Sequence, residues 1–315
     1  MSEARTAVVA LGGNAISRNG VPDTIANQFR HTRESLDSVV RLAQSGWNVA
    51  LTHGNGPQVG NAILRVELTR GRAPELPLGI CVADTEGGMG YMIEQSLQNA
   101  LLQAGLDREA VTIVTQVVVD EHDPVVQNPT KFIGQFYSEA DARQLAETNG
   151  WTVKEDPGRG WRRVVPSPQP LSIVAAASIK RLVAEGVIVI CCGGGGIPVF
   201  RLSDGRLEGF DAVIDKDRAS AVLAREIHAD LLLILTAVEQ VALDYASDHP
   251  RPLSQMTAAE ARQHLKAGQF PRGSMGPKIE AALEYLRNGG REVIITSIPK
   301  ALEAVSGRAG TRIVP

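Results

Sequence analysis

The chain has 315 residues, of which 43% are hydrophobic and 21% are charged, and its formal net charge is −3. This length suffices for one large domain or two closely joined lobes, and the composition is ordinary for a globular protein. The small negative charge gives no general attraction to nucleic acid or to an anionic membrane. Any anion site must therefore come from locally placed lysines and backbone amides.

Targeting and membrane signals are not recognisable in the sequence. The start, MSEARTAVVALGG, lacks the basic region and following apolar stretch of a signal peptide. The longest apolar runs, such as residues 231–235, are far shorter than the ~20 residues that a bilayer requires. Cys81, Cys191 and Cys192 match neither a disulfide framework nor a zinc pattern. We therefore expect a cytoplasmic protein in a reducing compartment.

Short apolar runs alternate with segments of helical periodicity along the chain. In chain order, the pattern predicts strands at residues 7–11, 49–52, 111–119, 187–191, 231–235 and 293–296. It predicts helices at residues 25–44, 57–69, 91–104, 172–185, 217–228, 257–266 and 277–288. Thr257 and Glu260 form a capping box at the start of one of these helices. Repeated strand–helix alternation indicates an α/β fold with a mostly parallel sheet and helices on both faces.

Residues 120–170 break this alternation, and we call them the excursion. They are rich in Pro, Gly, Asp and Arg and contain one short predicted helix near residues 138–148. Fifty residues are too many for an ordinary connection, so we expect a small unit that protrudes from the main sheet and could act as a lid. Composition alone equally allows a surface insertion without a role in function.

Three glycine clusters occur where predicted strands give way to helices. They are Gly12-Gly13-Asn14, Gly54-Asn55-Gly56 and residues 193–196. Glycine lets a backbone turn tightly and lets an anion approach the amides, and a following helix offers unpaired N–H groups. In a parallel sheet such turns lie at the carboxyl edge, where ligands bind. One such turn is weak support, but three together favour an anion site.

Known phosphate-loop patterns do not explain these glycines. No segment fits G-x-x-x-x-G-K-[ST], and the nearest approach to G-x-G-x-x-G, residues 54–60, has the wrong final spacing. This argues against a P-loop ATPase and against a nicotinamide-dependent dehydrogenase.

Three lysines occupy unusual positions. Lys216 lies between Asp215 and Asp217 at a strand-to-helix junction, Lys278 lies at a predicted helix start, and Lys131 lies in the excursion. A cation at a helix N-terminus is unfavourable by ~0.3–1 kcal/mol, so Lys278 suggests a compensating anion. Each lysine alone could be a solvated surface charge. Their coincidence with the glycine turns favours contact with phosphate.

The sequence resembles the carbamate kinases of the amino-acid-kinase family. The motifs that carry the resemblance, in order, are ALGGNA, THGNGPQVG, NPTK, GRGWRRVVPSPQP, CCGGGGIPV, VIDKD, LTAVEQVALDY and GSMGPKIEAA, and they extend over residues 7–311. The resemblance implies an α/β three-layer αβα sandwich with a central, mainly parallel sheet. It also implies that the excursion is a protruding subdomain, that residues 1–209 bind carbamate or carbamoyl phosphate, and that residues 210–315 bind ATP or ADP. Such enzymes are commonly homodimers.

The activity implied by the resemblance is reversible, Mg²⁺-dependent phosphoryl transfer between ATP and carbamate. Its expected direction is ATP formation from carbamoyl phosphate in arginine- or agmatine-type catabolism. The magnesium ion would be held mainly by nucleotide phosphates, so no cluster of protein ligands is expected. Nucleic-acid and membrane partners are not expected.

The resemblance also assigns residue roles. The predicted substrate-binding residues are Gly12, Gly13, Asn14, Gly54, Asn55 and Gly56. Lys131, Lys216 and Lys278 would neutralise phosphate oxygens, and Asp217 would orient the lysines. The predicted nucleotide-binding residues are Thr236, Ala237, Val238, Val241, Met275 and Gly276, together with Lys216 and Lys278. His53 is interpreted as a support for its glycine turn, with direct catalytic contact as the alternative.

Some positions depart from related patterns. Relatives acting on larger amino acids carry a lysine before the first glycines, as K-x-G-G, whereas this chain has Ala10-Leu11 and would use Lys131 instead. Phe132 and Gln135 stand where carbamate kinases often have prolines, and Ala237 where they often have an acidic residue. Two alternatives remain open. One is a kinase of the same fold for another carboxylate or a phosphonate, and the other is a non-catalytic sensor of nucleotide or carbamoyl phosphate.

Overall fold

The computed structural model describes residues 4–18, 20–271 and 273–315. Within these residues the strands are β1 (Thr6–Leu11), β2 (Asn48–His53), β3 (Ala110–Thr112), β4 (Gln116–Val119), β5 (Lys131–Tyr137), β6 (Val153–Asp156), β7 (Gly160–Val165), β8 (Pro170–Ile173), β9 (Ile188–Ile190), β10 (Ile197–Arg201), β11 (Leu207–Gly209), β12 (Leu231–Thr236), β13 (Val241–Leu243), β14 (Arg251–Leu253), β15 (Gln255–Thr257), β16 (Val293–Ser297) and β17 (Thr311–Val314). The α-helices are α1 (Ile25–Gln44), α2 (Gly56–Leu68), α3 (Leu78–Gln103), α4 (Glu139–Asn149), α5 (Ala176–Ala184), α6 (Lys216–Glu226), α7 (Ala258–Lys266), α8 (Met275–Arg287) and α9 (Ala301–Val305).

The central sheet has the strand order β15-β17-β16-β12-β1-β2-β9-β3. All of its pairs are parallel except β16 with β17, which confirms the predicted, mainly parallel sheet. Strand β1 lies between β12 and β2, and Leu11 pairs with both Leu235 and His53. The three strands therefore end side by side, and the segments that follow them share one edge of the sheet.

Helices cover both faces of this sheet. Val8 and Ala10 of β1 point into a core that includes Ile279 and Tyr285 of α8. The alternate residues Ala7 and Val9 point into a second core that includes residues of α1 and α3. Successive side chains of a strand face opposite sides, so these two cores lie on the two faces of one sheet. The predicted three-layer sandwich is confirmed.

The excursion forms a separate unit. Strands β5, β7 and β6 make an antiparallel three-stranded sheet, and the single helix α4 follows β5. The unit approaches the main body closely at Gly60 of α2, where an added Cβ would lie 3.3 Å from the Cα of Gly134 in β5. The predicted helix at residues 138–148 matches α4, which begins after the cap Ser138. The smaller sheets β11-β10-β4-β8 and β13-β14 complete the fold.

Two predicted elements ran across a boundary between separate elements. Residues 111–119 are two strands, because β3 pairs in the central sheet whereas β4 pairs with β10 and β8 in another. The predicted helix 172–185 begins only at Ala176, because residues 170–173 form β8, which pairs with β4. The first error arises from an apolar run that continues across a change of sheet, and the second from one that continues from a strand into a helix. Periodicity alone reveals neither boundary.

The helix predicted at residues 91–104 is much longer, since α3 begins at Leu78. Its first half contains several glycines, which lower intrinsic helix propensity by ~1 kcal/mol each. Gly90 shows why one of them is required: an added Cβ would lie 2.2 Å from Cγ2 of Thr112. Tertiary packing against β3 therefore outweighs the low propensity.

Across the ranges that the structure describes, no helix combines the length and apolar character needed to cross a bilayer.

Candidate active site

The first two glycine turns meet at the carboxyl edge of the central sheet. The amide of Gly12 donates to the carbonyl oxygen of Leu235 at 3.0 Å, and an added Cβ on Gly12 would lie 2.8 Å from that oxygen. A Cβ on Gly54 would lie 3.9 Å from the backbone nitrogen of Gly13. The turns after β1 and β2 are therefore in contact, and their backbones approach closely because side chains are absent.

The third glycine cluster lies behind the second turn. A Cβ on Gly193 would lie 2.5 Å from Nε2 of His53, and one on Gly194 would lie 2.2 Å from Nδ2 of Asn55. Residues 193–195 are buried. These glycines thus make room for the side chains of the second turn, and they do not themselves line an open cleft. The Nδ2 of Asn55 donates to Oγ1 of Thr85 at 3.1 Å, so this side chain is held by the protein interior.

Two of the predicted lysines converge on one carboxylate. Lys216 Nζ lies 2.6 Å from Oδ1 of Asp217, and Lys278 Nζ lies 2.8 Å from Oδ2 of the same residue. Asp217 is only 4% exposed. Burial alone would raise the pKa of Asp217, but the two ammonium groups outweigh it and hold that pKa well below its usual range. Burial lowers the pKa of Lys216, while the charge of Asp217 opposes the change.

The charged residues around Asp217, which we call the lysine cluster, lie beside the glycine turns after β1 and β2. The Cδ and Cε atoms of Lys216 lie 3.7 and 3.8 Å from the position of an added Cβ on Gly54. Helix α6, which begins at Lys216, is also joined to β2 by a 2.7 Å hydrogen bond between Thr52 and Ser220. The ammonium groups are consequently fixed beside the two glycine turns.

The excursion delivers the third lysine to the same place. Lys131 Nζ donates to the carbonyl oxygen of Ile214 at 3.3 Å and lies 3.6 Å from Oδ2 of Asp215. Both partners immediately precede α6. All three predicted lysines are thus brought together from β5, α6 and α8.

A cleft of about 200 Å³ lies between the end of β12 and the start of α8. Of the predicted nucleotide-binding residues, Thr236, Ala237, Val238, Met275 and Lys278 line it. Its other lining residues were not predicted, and they are Gln240, Ala242, Tyr245, Phe270, Pro271 and Ser274.

Val241 and Gly276 do not line this cleft. Val241 is fully buried, and its amide donates to Oγ1 of Thr311 at 2.8 Å. Gly276 is also buried, and its amide donates to the carbonyl oxygen of Pro271. Asn14 borders a second, more open groove of about 1000 Å³ on the other side of Thr236 and Ala237.

Glu86 is a buried carboxylate that was not predicted from the sequence. Its two oxygens accept hydrogen bonds from the amides of Gly193, at 2.8 Å, and Thr115, at 3.0 Å. Burial raises the pKa of Glu86 to about 7, and the two amides partly oppose this rise. Glu86 therefore ties α3 to the third glycine cluster. A glutamate in a helix is an ordinary surface residue, so its sequence gave no signal of this role.

His53 is fully buried beside Glu86 and Gly193. Its Nδ1 donates to the carbonyl oxygen of Gly54 at 3.0 Å, and its Nε2 has no hydrogen-bond partner among the described residues. Burial is the main reason that its pKa falls to about 4, with the charge of Lys216 adding to the decrease. The lowered pKa favours a neutral imidazole at pH 7, and the hydrogen bond from Nδ1 to Gly54 braces the turn.

Among the described residues, no group of three or more His, Cys, Asp or Glu side chains is arranged to hold a metal ion. The two carboxylates nearest the lysines are already engaged. Asp217 binds two ammonium groups, and Asp215 caps α6 by accepting from the amides of Asp217 and Arg218. The chain thus offers cations for an anionic ligand more readily than it offers ligands for a metal.

Comparison with known proteins identifies one family over nearly the whole chain. The model of the amino acid kinase family matches residues 5–297. The carbamate kinase of Pyrococcus horikoshii is 44% identical over 310 residues, which cover 98% of each chain. The carbamate kinase-like protein YahI of Escherichia coli is 46% identical over 310 residues, again 98% of each chain. The structure of the Giardia lamblia carbamate kinase bound to AMP-PNP is similar with a TM-score of 0.93 and 41% identity, covering 100% of this chain and 99% of that one.

Proposed function

The chain belongs to the amino acid kinase family, and we propose that it is a carbamate kinase, which moves a phosphoryl group reversibly between ATP and carbamate. The observation that carries the proposal is the convergence of Lys131, Lys216 and Lys278 beside the glycine turns after β1 and β2. Full-length relatives named carbamate kinases support it. The protein is accordingly a phosphotransferase.

Phosphoryl transfer requires little covalent chemistry from the protein, so the tasks of the protein are positioning and charge neutralisation. In the proposed reaction the anionic oxygen of carbamate attacks the γ-phosphorus of ATP and forms a new P–O bond. The bond from phosphorus to the β–γ bridging oxygen breaks, and ADP leaves with that electron pair. No proton has to move. The reverse reaction forms ATP from carbamoyl phosphate by the same exchange of bonds.

The substrate is small enough to be recognised largely by backbone amides. We assign this task to the amides of Gly13, Gly54 and Gly56, with Asn14 at the rim of the adjoining groove. The amide of Gly12 was predicted to take part, but it donates to the carbonyl oxygen of Leu235 and so holds the turn in place. Asn55 contributes through the shape of its turn, because its side chain amide is held by Thr85.

The lysines neutralise the negative charge that spreads over the transferring group. Asp217 holds Lys216 and Lys278 at fixed positions before substrate arrives, so little reorganisation is needed during reaction. Lys131 contacts the transferring phosphoryl group from the side of the excursion.

Magnesium would enter with the nucleotide. The residues fit an ion held mainly by phosphate oxygens, because the oxygens of Asp217 already bind lysines and no ligand cluster is present in the described ranges. The ion would neutralise phosphate charge together with the lysines.

The nucleotide would bind in the cleft between β12 and α8. Thr236, Ala237, Val238 and Met275 form its walls, and Lys278 lies where the phosphates would enter. The buried Val241 and Gly276 support these walls from behind. In this assignment residues 1–209 bind carbamate or carbamoyl phosphate and residues 210–315 bind ATP or ADP, with the excursion, residues 120–170, as a lid.

We further propose a cytoplasmic homodimer that forms ATP from carbamoyl phosphate in arginine- or agmatine-type catabolism. The free thiols of Cys81, Cys191 and Cys192 suit a reducing compartment. Exposed Ile80 and Tyr91 on α3 supply apolar surface for a subunit contact. Light scattering at several protein concentrations tests the dimer, and a monomer at every concentration would contradict it.

A substrate panel tests the proposed activity. With Mg²⁺ and ADP, carbamoyl phosphate should give ATP far faster than acetyl phosphate, and with ATP the protein should not phosphorylate N-acetylglutamate or aspartate. A kinase for another small carboxylate is the second candidate, because the relative at 46% identity is named only carbamate kinase-like. Turnover of another acyl phosphate without turnover of carbamoyl phosphate would favour that candidate. Binding without any transfer would indicate a sensor.

A further inference from the structure

Asp215 contacts the excursion and also helix α6, which carries Lys216 and Asp217. Its Oδ1 accepts hydrogen bonds from the amides of Asp217, at 2.9 Å, and Arg218, at 3.3 Å, and so caps α6. Its Oδ2 lies 3.6 Å from Nζ of Lys131. The two oxygens of one carboxylate thus have two different partners, one within α6 and one in β5.

The contact between Asp215 and Lys131 is the loosest ion pair of the cluster. The two side chains are 25% and 28% exposed, whereas Lys216 and Lys278 are 12% and 13% exposed and bind Asp217 at less than 3 Å. Attraction between charges weakens with distance and with access to water. Lys131 is therefore the lysine that an incoming anion can most easily draw away from its carboxylate.

The charges of the cluster favour such an exchange. Lys131, Lys216 and Lys278 contribute three positive charges, and Asp215 and Asp217 contribute two negative ones. A phosphoryl group with more than one negative charge competes with the single charge of Asp215 for Lys131.

Resting on the proposed function, we propose that Asp215 is a positioning residue that holds Lys131, at the start of β5, beside the site until the phosphoryl group of the substrate takes the lysine over. The cap of α6 and the hold on Lys131 share one carboxylate. This contact adds to the apolar packing of Ile133 and Val165 against α2 and α3, and it fixes the start of β5 against the helix that carries Lys216 and Asp217.

Substitution can separate the two tasks of Asp215. Asn and Ser are good helix caps, so Asp215→Asn and Asp215→Ser retain an acceptor for the amides of α6 but lose the charge that attracts Lys131. In both variants we expect faster proteolytic cleavage within the excursion in the absence of ligand. We also expect kcat to fall about tenfold, the scale of ~1.4 kcal/mol, because Lys131 is less well placed. The KM for carbamoyl phosphate should not rise, because removing a negative charge makes the site more attractive to anions.

Three controls isolate the contact. Asp211→Asn removes the same charge from an exposed residue four positions earlier and should behave like the wild-type protein. Asp215→Glu keeps the charge and should retain most of the turnover. In a Lys131→Ala background, Asp215→Asn should add no further increase in cleavage, since the partner is already gone.

The outcomes are decisive. Faster cleavage together with a lower kcat and no increase in KM, in Asp215→Asn and Asp215→Ser but not in Asp211→Asn, supports the proposal. Any other combination overturns it, and wild-type behaviour of Asp215→Asn would leave Asp215 as a helix cap alone. Cleavage is measured without substrate, so it reports on Asp215 even if the wild-type protein fails to make ATP, a result that would count against the proposed function instead.

Discussion

Replacing Asp217 by Asn tests the lysine cluster most severely. Asp217 is 4% exposed and binds Lys216 Nζ at 2.6 Å and Lys278 Nζ at 2.8 Å. Asp217→Asn keeps the size of the side chain but removes the negative charge between two ammonium groups. Breaking a buried charge network by removing one partner costs about 3–5 kcal/mol. Because Asn keeps one acceptor oxygen, we expect the lower end, about 3 kcal/mol.

This loss should be measurable in two ways. At about 2 °C for each kcal/mol in a large domain, the melting temperature should fall by roughly 6 °C. Turnover should fall by ~10²–10³, because the lysines lose the group that orients them. Phosphate or sulfate should restore more stability to the variant than to the wild-type protein, since an anion can replace the missing negative charge between the lysines.

Asp156 provides a matched control for this experiment. It is 5% exposed and also binds two cationic side chains, those of Arg159 and Arg162 in the excursion. Asp156→Asn should lose stability without the ~10²–10³ loss of turnover, because neither arginine belongs to the lysine cluster. An Asp217→Asn protein that melts and turns over like the wild type would refute the charge network described for the site.

Further predictions concern the other charged groups. Lys216→Ala and Lys278→Ala should each lower kcat by ~10²–10³ while the protein remains folded; near wild-type turnover in both would rule out their contact with phosphate. Lys131→Ala should lower kcat strongly but change nucleotide affinity, measured by calorimetry, by less than about tenfold; a larger loss of affinity would place this lysine at the nucleotide instead. Burial raises the pKa of Glu86 from 4.5 to about 7. The protonated side chain therefore contributes its full stabilisation below pH 4.5, and about 3 kcal/mol of that stabilisation is lost as the pH rises to 7. The lowered pKa of His53 has the opposite effect, so its contribution to stability rises between pH 4 and 6.5. Because Glu86→Gln removes only the falling contribution, its urea midpoint should rise with pH across this range more steeply than that of the wild type. Parallel curves for the two proteins would contradict the raised pKa of Glu86.

The frame of the central sheet could be predicted from local sequence. Helix α1 has the predicted bounds, because Thr24 caps its start and its apolar residues keep helical spacing to the end. The strands β1, β2, β12 and β16 were predicted to within one residue at each end, because each is centred on a short apolar run. The turns after β1 and β2 were predicted to share an edge, and their contact follows directly from the pairing of parallel strands.

The remaining parts depend on contacts between distant residues. The first half of α3 was missed because its glycines lower helix propensity, and Glu86 and Thr85 were missed with it. The division between β3 and β4 depends on which sheet each strand joins, which a continuous apolar run does not encode. The pairing of Asp217 with Lys278 joins residues 61 positions apart, so sequence could suggest the residues but not the distance.

Asp215 illustrates the same limit within the site. Its sequence neighbourhood, VIDKD, identified Lys216 and Asp217, whereas Asp215 has the ordinary appearance of a helix cap. Only the position of the excursion shows that its second oxygen faces Lys131.

Carbamate kinase activity is tested most directly by the initial rate of ATP formation from ADP and carbamoyl phosphate with Mg²⁺. It should be measured on the wild-type protein and on Lys278→Ala prepared in the same way, so that a contaminating kinase is detected. We expect rapid ATP formation by the wild type and a rate ~10²–10³ lower in the variant. Equal rates in the two proteins, or no ATP from carbamoyl phosphate in the wild type, would contradict it.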